Sequence, residues 1–180
     1  ALVEMFRKTW AEIRLDYLQY NIELIRKYFP QDTFFCPMIK ANAYGHGDVK
    51  LGNVFQSWDL PHLGVCLIEE GLLLRQLGVR TPVLVFRGFD QKGAWALLQA
   101  GLTPIVSSWD QLEILFQLKQ PTVIHLKFDT GMNRLGFVAE DAEKVLQKFK
   151  MQTHLKLGGV LTHMYQSEDA RNPQGQTVQQ

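Results

Sequence analysis

A lysine followed by small residues comes directly after the first strongly apolar stretch of the chain. The run Lys-Ala-Asn-Ala-Tyr-Gly-His-Gly over residues 40–47 follows Phe-Phe-Cys-Pro-Met-Ile over 34–39. A lysine that ends a buried strand and enters a glycine-rich loop is poorly explained as a solvated surface charge. Burial near other cations lowers the pKa of a lysine and frees its amine to form a Schiff base. Lys40 is therefore the first candidate for covalent chemistry.

A second polar group surrounds a later strand end, in the stretch His-Leu-Lys-Phe-Asp-Thr-Gly-Met-Asn-Arg-Leu-Gly-Phe over residues 125–137. His125, Lys127 and Asp129 share one face of the expected strand, and the apolar residues between them share the other. Arg134 follows in a glycine-flanked loop, where barrel enzymes place their chemistry. Its planar guanidinium suits the recognition of carboxylate or phosphate oxygens. We expect Lys127 and Arg134 to be close neighbours.

A third stretch, Gly-Gly-Val-Leu-Thr-His-Met over residues 158–164, completes a recognisable set. The three stretches, in this order, resemble the lysine signature, the arginine loop and the following strand of the alanine racemases. These are pyridoxal 5'-phosphate (PLP) enzymes of fold type III. The resemblance implies a racemase that interconverts L-alanine and D-alanine and supplies D-alanine for cell-wall peptidoglycan.

The resemblance also implies a role for each of five residues. Lys40 would bind PLP as a Schiff base and serve as the base on one face of the substrate. Tyr44 would hydrogen-bond the cofactor phosphate, and Arg134 would donate to the cofactor's phenolic oxygen and the substrate carboxylate. His163 would support an arginine of a later strand that faces the cofactor ring. Lys127 matches a lysine that is N-carboxylated in many members, so we expect a carbamate there, or failing that an anion between Lys127 and Arg134.

Two further expectations concern parts of the family that lie outside these 180 residues. In the family, an eight-stranded α/β barrel is followed by a mostly β carboxy-terminal domain. The opposite-face base is a tyrosine of that second domain, contributed by the partner subunit of a head-to-tail homodimer. We therefore expect residues 1–180 to form an incomplete amino-terminal PLP-binding barrel domain that is inactive and poorly soluble alone.

Other readings of the same residues stay open. A bacterial-type decarboxylase of this barrel class shares the Lys-Ala-Asn core but not the Tyr-Gly-His-Gly continuation. A small non-catalytic PLP-binding barrel would lack the β domain, and a fragment that only associates with other subunits would need no cofactor. Within the racemase reading, alanine, serine and basic amino acids are all possible substrates.

Several other kinds of site are disfavoured by spacing. The glycines of 45–52 fit neither nucleotide-binding glycine pattern, and no serine-nucleophile signature is visible. The histidines have no ligand spacing, so we expect no metal. They are His46, His62, His125, His154 and His163.

Short apolar runs alternate with helical patterns along the chain, which predicts a parallel sheet with helical crossovers. The expected strands are 9–15, 35–40, 62–67, 81–86, 103–107, 122–129 and 155–163. The expected helices are 16–28, one beginning at 48, 69–77, 90–100, 109–118 and 140–150, and 169–180 is expected to be polar loop.

A doubly wound sheet and a TIM-type (β/α)8 barrel both fit this alternation. One polar and one apolar face in 125–129 favours the barrel, since strands of an open doubly wound sheet are usually apolar on both faces. Counting from the strand that ends at Lys40 gives about six of the eight strands, after a short amino-terminal strand. We expect a truncated barrel.

Composition excludes some partners. The chain is 46% hydrophobic and 21% charged with a net charge of +1, which is typical of a globular protein without a polyanionic partner. No uninterrupted apolar stretch is long enough for a membrane span, and the amino terminus lacks the pattern of a signal peptide. Cys36 and Cys66 read as buried thiols rather than a disulfide. We expect a cytoplasmic protein that binds neither nucleic acid nor membrane.

Overall fold

The computed structural model describes residues 9–166 and 171–179. The chain divides into two compact units, Ala1–Phe35 and Cys36–Gln180. Among the described residues no helix is long and apolar enough to cross a membrane.

The first unit is built on one helix, α1 (Leu15–Lys27). The expected strand at 9–15 is wrong, because 9–14 have no regular structure and Leu15 already lies in α1. A strand exists only where a neighbouring strand accepts its hydrogen bonds, and no described residue pairs with this stretch. Asp16 lies in the first turn of α1, where its carboxylate accepts two bonds from the Arg14 guanidinium, at 3.1 and 2.7 Å.

The second unit alternates strands and helices as the sequence predicts. Its strands are β1 (Leu63–Val65), β2 (Val83–Val85), β3 (Thr103–Val106), β4 (Thr122–Lys127) and β5 (Leu155–Leu161). Its helical segments are α2 (Lys40–Tyr44), α3 (Asp48–Ser57), α4 (Ile68–Gln76), α5 (Gln91–Gln99), α6 (Trp109–Leu118), a 3-10 turn (Ala139–Asp141), α7 (Ala142–Lys150) and α8 (Gln176–Gln179). The last of these corrects the expectation of loop throughout 169–180; residues 169, 170 and 180 lie outside the described part.

The five strands are parallel and follow one another in the order β1-β2-β3-β4-β5. A doubly wound sheet would reverse its strand order at a switch point, whereas a (β/α)8 barrel continues in one direction. The fold is therefore an α/β barrel type with part of the barrel present, as the sequence predicts.

The strand expected at 35–40 is reduced to a single bridge between Met38 and Gly64 of β1. Two bonds flank it: the Ile39 N–H donates to the Gly64 oxygen at 2.8 Å, and the Gly64 N–H donates to the Pro37 oxygen at 2.9 Å. Pro37 has no N–H to extend the ladder, and the backbone turns away at Lys40. The sheet therefore has five strands and a bridge where six strands were expected.

The paired glycines of the third sequence block explain how β5 packs on β4. The register between these strands shifts between Ile124 and His125. A Cβ on Gly158 would lie 2.8 Å from Nε2 of His125, and one on Gly159 would lie 2.8 Å from its Nδ1. The imidazole thus occupies the space that side chains on β5 would need, so two successive glycines let the strands pair.

Candidate functional site

A cavity of about 690 Å³ lies at the carboxyl ends of the strands. This is where parallel barrels place their sites. Its lining residues are Met38, Lys40, Tyr44, Cys66, Phe86, Arg87, Gly88, Lys127, Arg134, Leu135, Leu161, Thr162 and His163. All five residues to which the sequence assigned roles line this one cavity. Along the chain, Arg134 lies 94 positions after Lys40, and His163 lies 123 positions after it.

Lys40 lies where the chain leaves the Met38 bridge and enters α2, which is a left-handed turn. Ala41, Asn42, Ala43 and Tyr44 all have φ between 50 and 55°. Left-handed backbone costs non-glycine residues about 1–2 kcal/mol each, so roughly 4–8 kcal/mol must be offset by contacts that fix the turn. The turn delivers the Lys40 amine into the cavity, with Nζ 5.7 Å from the centroid of the Tyr44 ring.

Bonds to the turn come from within the chain segment and from a distant helix. The Asn42 oxygen accepts the N–H groups of Gly45 at 3.0 Å and Gly47 at 2.9 Å. The Ala41 N–H donates to Oε1 of Glu70, in the first turn of α4, at 2.7 Å. Conformation at Lys40 therefore depends on a residue about thirty positions further along the chain.

Arg134 is held by a loop that closes on itself. The Asp129 carboxylate accepts three backbone bonds, from Gly131 at 3.0 Å, Asn133 at 3.0 Å and Arg134 at 2.8 Å. These bonds, led by that from Gly131, lower the pKa of the Asp129 carboxyl.

The base of the Arg134 loop is closed by a bridge between Phe128 and Phe137. The Asp129 N–H donates to the Phe137 oxygen at 2.8 Å, and the Phe137 N–H donates to the Lys127 oxygen at 2.9 Å. Gly136 has φ of 139°, and a Cβ there would lie 2.6 Å from the carbonyl carbon of Phe128. Only glycine fits this crossing point.

Positive charge dominates the electrostatics of the cavity. Lys127 is 6% exposed, and its burial, together with the charge of Arg134, lowers the pKa of its amine, while Asp129 opposes this shift. Partial desolvation and the charges of Arg134, Lys127 and Lys40 lower the pKa of the His163 imidazole. Both shifts arise because these groups line the same cavity.

The sequence missed several lining residues. Arg87 follows the apolar run of β2, the same strand-end position that singled out Lys40, so this pattern could have found it. Thr162 lines the cavity as well, and its hydroxyl lies 2.7 Å from that of Thr130, which joins the loops after β4 and β5. Glu70 does not line the cavity but bonds the turn that carries Lys40, and the sequence missed it too, because a glutamate in a first helical turn is typical of any helix start.

Comparison with known proteins agrees with this geometry. Residues 13–180 match the family model described as alanine racemase, N-terminal domain. An alanine racemase of Geobacillus stearothermophilus is 34% identical over 170 residues, covering 92% of this chain and 44% of that protein. An amino-acid racemase of Enterococcus faecalis is 31% identical over 157 residues, covering 87% of this chain and 22% of that protein.

The fold is matched by a solved structure as well. The alanine racemase of Clostridium difficile 630 superposes with a TM-score of 0.88 at 26% identity, covering 98% of this chain and 48% of that one. The chain thus spans about half the length of the alanine racemases it matches. Strand order, cavity and sequence similarity agree, and the chain belongs to the alanine racemase N-terminal domain family.

Proposed function

We propose that the protein that carries this chain is a PLP-dependent racemase of a small amino acid, with L-alanine and D-alanine as its substrate pair. One observation carries the proposal: Lys40, Tyr44, Lys127, Arg134 and His163 line a single cavity at the carboxyl ends of the strands.

The cavity fits PLP in size and in charge. Its volume of about 690 Å³ is in the range of small-molecule sites. Four cations, Lys40, Arg87, Lys127 and Arg134, line it, and no aspartate or glutamate is among its described lining residues. Such an excess of positive charge suits a cofactor phosphate together with a substrate carboxylate.

Each residue has a task that its position allows. Lys40 would hold the cofactor covalently through its amine and would carry the α-proton on one face of the substrate. Tyr44, which is 63% exposed and lines the cavity, would donate its hydroxyl to the cofactor phosphate. Arg134 would donate to the phenolic oxygen and to the substrate carboxylate, and His163 would support an arginine of a later strand that faces the cofactor ring. When bound, PLP supplies the electron sink that stabilises negative charge at the α-carbon.

Racemisation needs a proton carrier on the second face as well. We propose that a tyrosine of the partner subunit supplies it in a head-to-tail homodimer. We also propose a cytoplasmic location and a role in supplying D-alanine for the cell wall. Sedimentation tests the homodimer, and cell fractionation tests the location.

The test of the proposal is chemical labelling of Lys40. The protein that carries this chain is loaded with PLP, reduced with borohydride and digested. We expect the pyridoxyl mass on the peptide containing Lys40. The matched control is Lys50→Ala, which removes an exposed lysine of α3 and should leave the label in place, whereas Lys40→Ala should abolish it.

Activity is measured by loss of α-deuterium from labelled L-alanine, L-serine and L-lysine. We expect alanine to exchange fastest. Lys40→Ala should lower the rate by on the order of 10²–10⁴-fold, the usual contribution of a positioned base. Label on other lysines with Lys40 clean, or PLP binding without exchange of any of the three amino acids, would contradict the proposal.

A further inference from the structure

We propose that Glu70 is a positioning residue for Lys40: its carboxylate fixes the backbone on which the reactive lysine is presented. The inference rests on the role proposed for Lys40 above. It assigns the orientation of that lysine to a side chain from the following βα unit.

Lys40 lies between two backbone N–H groups that are both held by the next part of the barrel. On one side the Ile39 N–H donates to the Gly64 oxygen of β1 at 2.8 Å. On the other side the Ala41 N–H donates to Oε1 of Glu70 at 2.7 Å. Because Ala41 is the first residue of the left-handed turn, this second bond fixes the point at which the chain changes hand.

The two oxygens of Glu70 have separate tasks. Oε2 accepts the N–H groups of Cys66 at 2.8 Å and Leu67 at 2.9 Å, which caps the start of α4. Oε1 is left to reach across to Ala41. A single carboxylate therefore joins the loop after β1 to the turn that carries Lys40.

The start of another helix, α6, shows what capping alone requires. Gln111 occupies the same third position in α6 and accepts the Ser107 N–H through its Oε1 at 2.9 Å. One amide oxygen thus suffices to cap. A glutamate is needed only where a second acceptor is needed, as it is at position 70.

The experiment compares Glu70→Gln with Glu69→Gln. A glutamine at position 70 has a similar shape and can still cap α4. If its oxygen caps α4, its amide NH2 faces the Ala41 N–H, and the bond to Ala41 is lost because two donors cannot bond each other. Glu69 is exposed in the same first turn, so Glu69→Gln changes charge near the helix start without touching Ala41.

The first readout needs no cofactor. Amide hydrogen exchange of the peptide covering 40–44 should become about 10-fold faster in Glu70→Gln, because a fixed N–H has lost its acceptor. Glu69→Gln should match the parent protein. This readout reports on the backbone at Lys40 even if Lys40 proves not to bind PLP, so failure of the proposed function and failure of this inference are distinguishable.

The second readout uses the PLP-loaded protein. Glu70→Gln should bind PLP about 10-fold more weakly and show an altered visible absorbance and pH titration of the bound cofactor. Its kcat should fall by on the order of 10²-fold with little change in KM, since small misplacement of a reacting group costs that much.

A second variant, Glu70→Asp, separates loss of the bond to Ala41 from a general folding defect. It keeps the charge and can cap α4, but it is one methylene shorter and cannot span to Ala41, so it should reproduce both effects at an unchanged melting temperature. Unchanged exchange at 40–44 in both variants, or unchanged PLP affinity despite faster exchange, would overturn the inference.

Discussion

The turn that carries Lys40 and the loop that carries Arg134 solve the same problem in two ways. The first follows the Met38 bridge and the second follows β4, and each depends on one carboxylate that accepts three backbone N–H groups. For Arg134 the carboxylate is Asp129, and all its donors lie within five residues of it. For Lys40 it is Glu70, which bonds Ala41 across 29 positions of sequence as well as its own Cys66 and Leu67.

The difference separates local from long-range control of geometry. The Arg134 loop is a self-contained unit whose conformation is set by an aspartate and glycines inside the motif. The Lys40 turn has unfavourable backbone angles at four successive residues, and its anchor arrives only when α4 packs beside it. Lys40 should therefore be sensitive to changes in a neighbouring βα unit, while Arg134 should be sensitive chiefly to changes within its own loop, which the hydroxyl pair of Thr130 and Thr162 joins to the next unit.

The largest effect is expected from Asp129→Asn, which leaves the Arg134 loop with weaker acceptors. The value of kcat/KM for alanine should fall by on the order of 10–10²-fold, because the guanidinium loses its fixed position. Borohydride labelling of Lys40 should stay at the parental level, whereas Glu70→Gln reduces it.

Asp110→Asn, at an exposed position in α6, is the matched control and should be neutral. If the two loops are independent, the effects of Asp129→Asn and Glu70→Gln on PLP affinity should add. Strong non-additivity would show that Asp129 and Glu70 act as one unit, which would contradict the distinction between local control at Arg134 and long-range control at Lys40.

A smaller effect is expected at Lys127, which lies beside both loops. Its lowered pKa favours the neutral amine, which adds to CO2 to form an N–C bond and releases one proton, leaving a carbamate anion next to Arg134. With ¹³C-bicarbonate we expect a carbamate carbon signal that Lys127→Met removes, and a decrease of about 10-fold in kcat/KM.

Lys156→Met, an exposed lysine of β5, should keep the carbamate signal. A chloride requirement in place of a carbamate signal would indicate the bound anion instead. Neither a signal nor any dependence on bicarbonate or chloride would contradict the assignment of an anion between Lys127 and Arg134.

The smallest effect concerns stability and pH. The pKa of Asp129 is lowered in the folded protein by its backbone donors, so the unfolded chain binds more protons in the acid range. The stabilisation is fully present above the ordinary aspartate pKa of about 3.9 and is lost as pH falls through the lowered value. Because the carboxylate is partly exposed, we expect it to contribute only about 1 kcal/mol at pH 7.

Melting temperatures of the parent protein and Asp129→Asn should therefore differ at pH 7 and converge on acidification. A difference that stays constant down to pH 2.5 would mean that the Asp129 bonds contribute nothing that depends on its charge.

Most of the elements were predictable because their signals are local. The helix at Trp109–Leu118 begins after Ser108, whose hydroxyl accepts the Gln111 N–H at 3.4 Å, as the N-cap rule requires. The predicted strand at 9–15 and the predicted strand before Lys40 failed for the opposite reason. Apolar alternation shows that a segment can form a strand, but residues 9–14 have no described strand partner. The segment before Lys40 does meet β1, but Pro37 and the turn at Lys40 limit the pairing to one bridge.

The sequence by itself determined the family, the parallel α/β order and the five residues that meet in the cavity, since each lies in a motif whose spacing is local. Only the tertiary structure decided how those residues are held. The left-handed turn at Lys40, the reach of Glu70 to Ala41 and the fit of His125 against Gly158 and Gly159 join residues from separate βα units. Such contacts depend on which strands lie side by side, and the propensities of short segments do not determine which strands become neighbours.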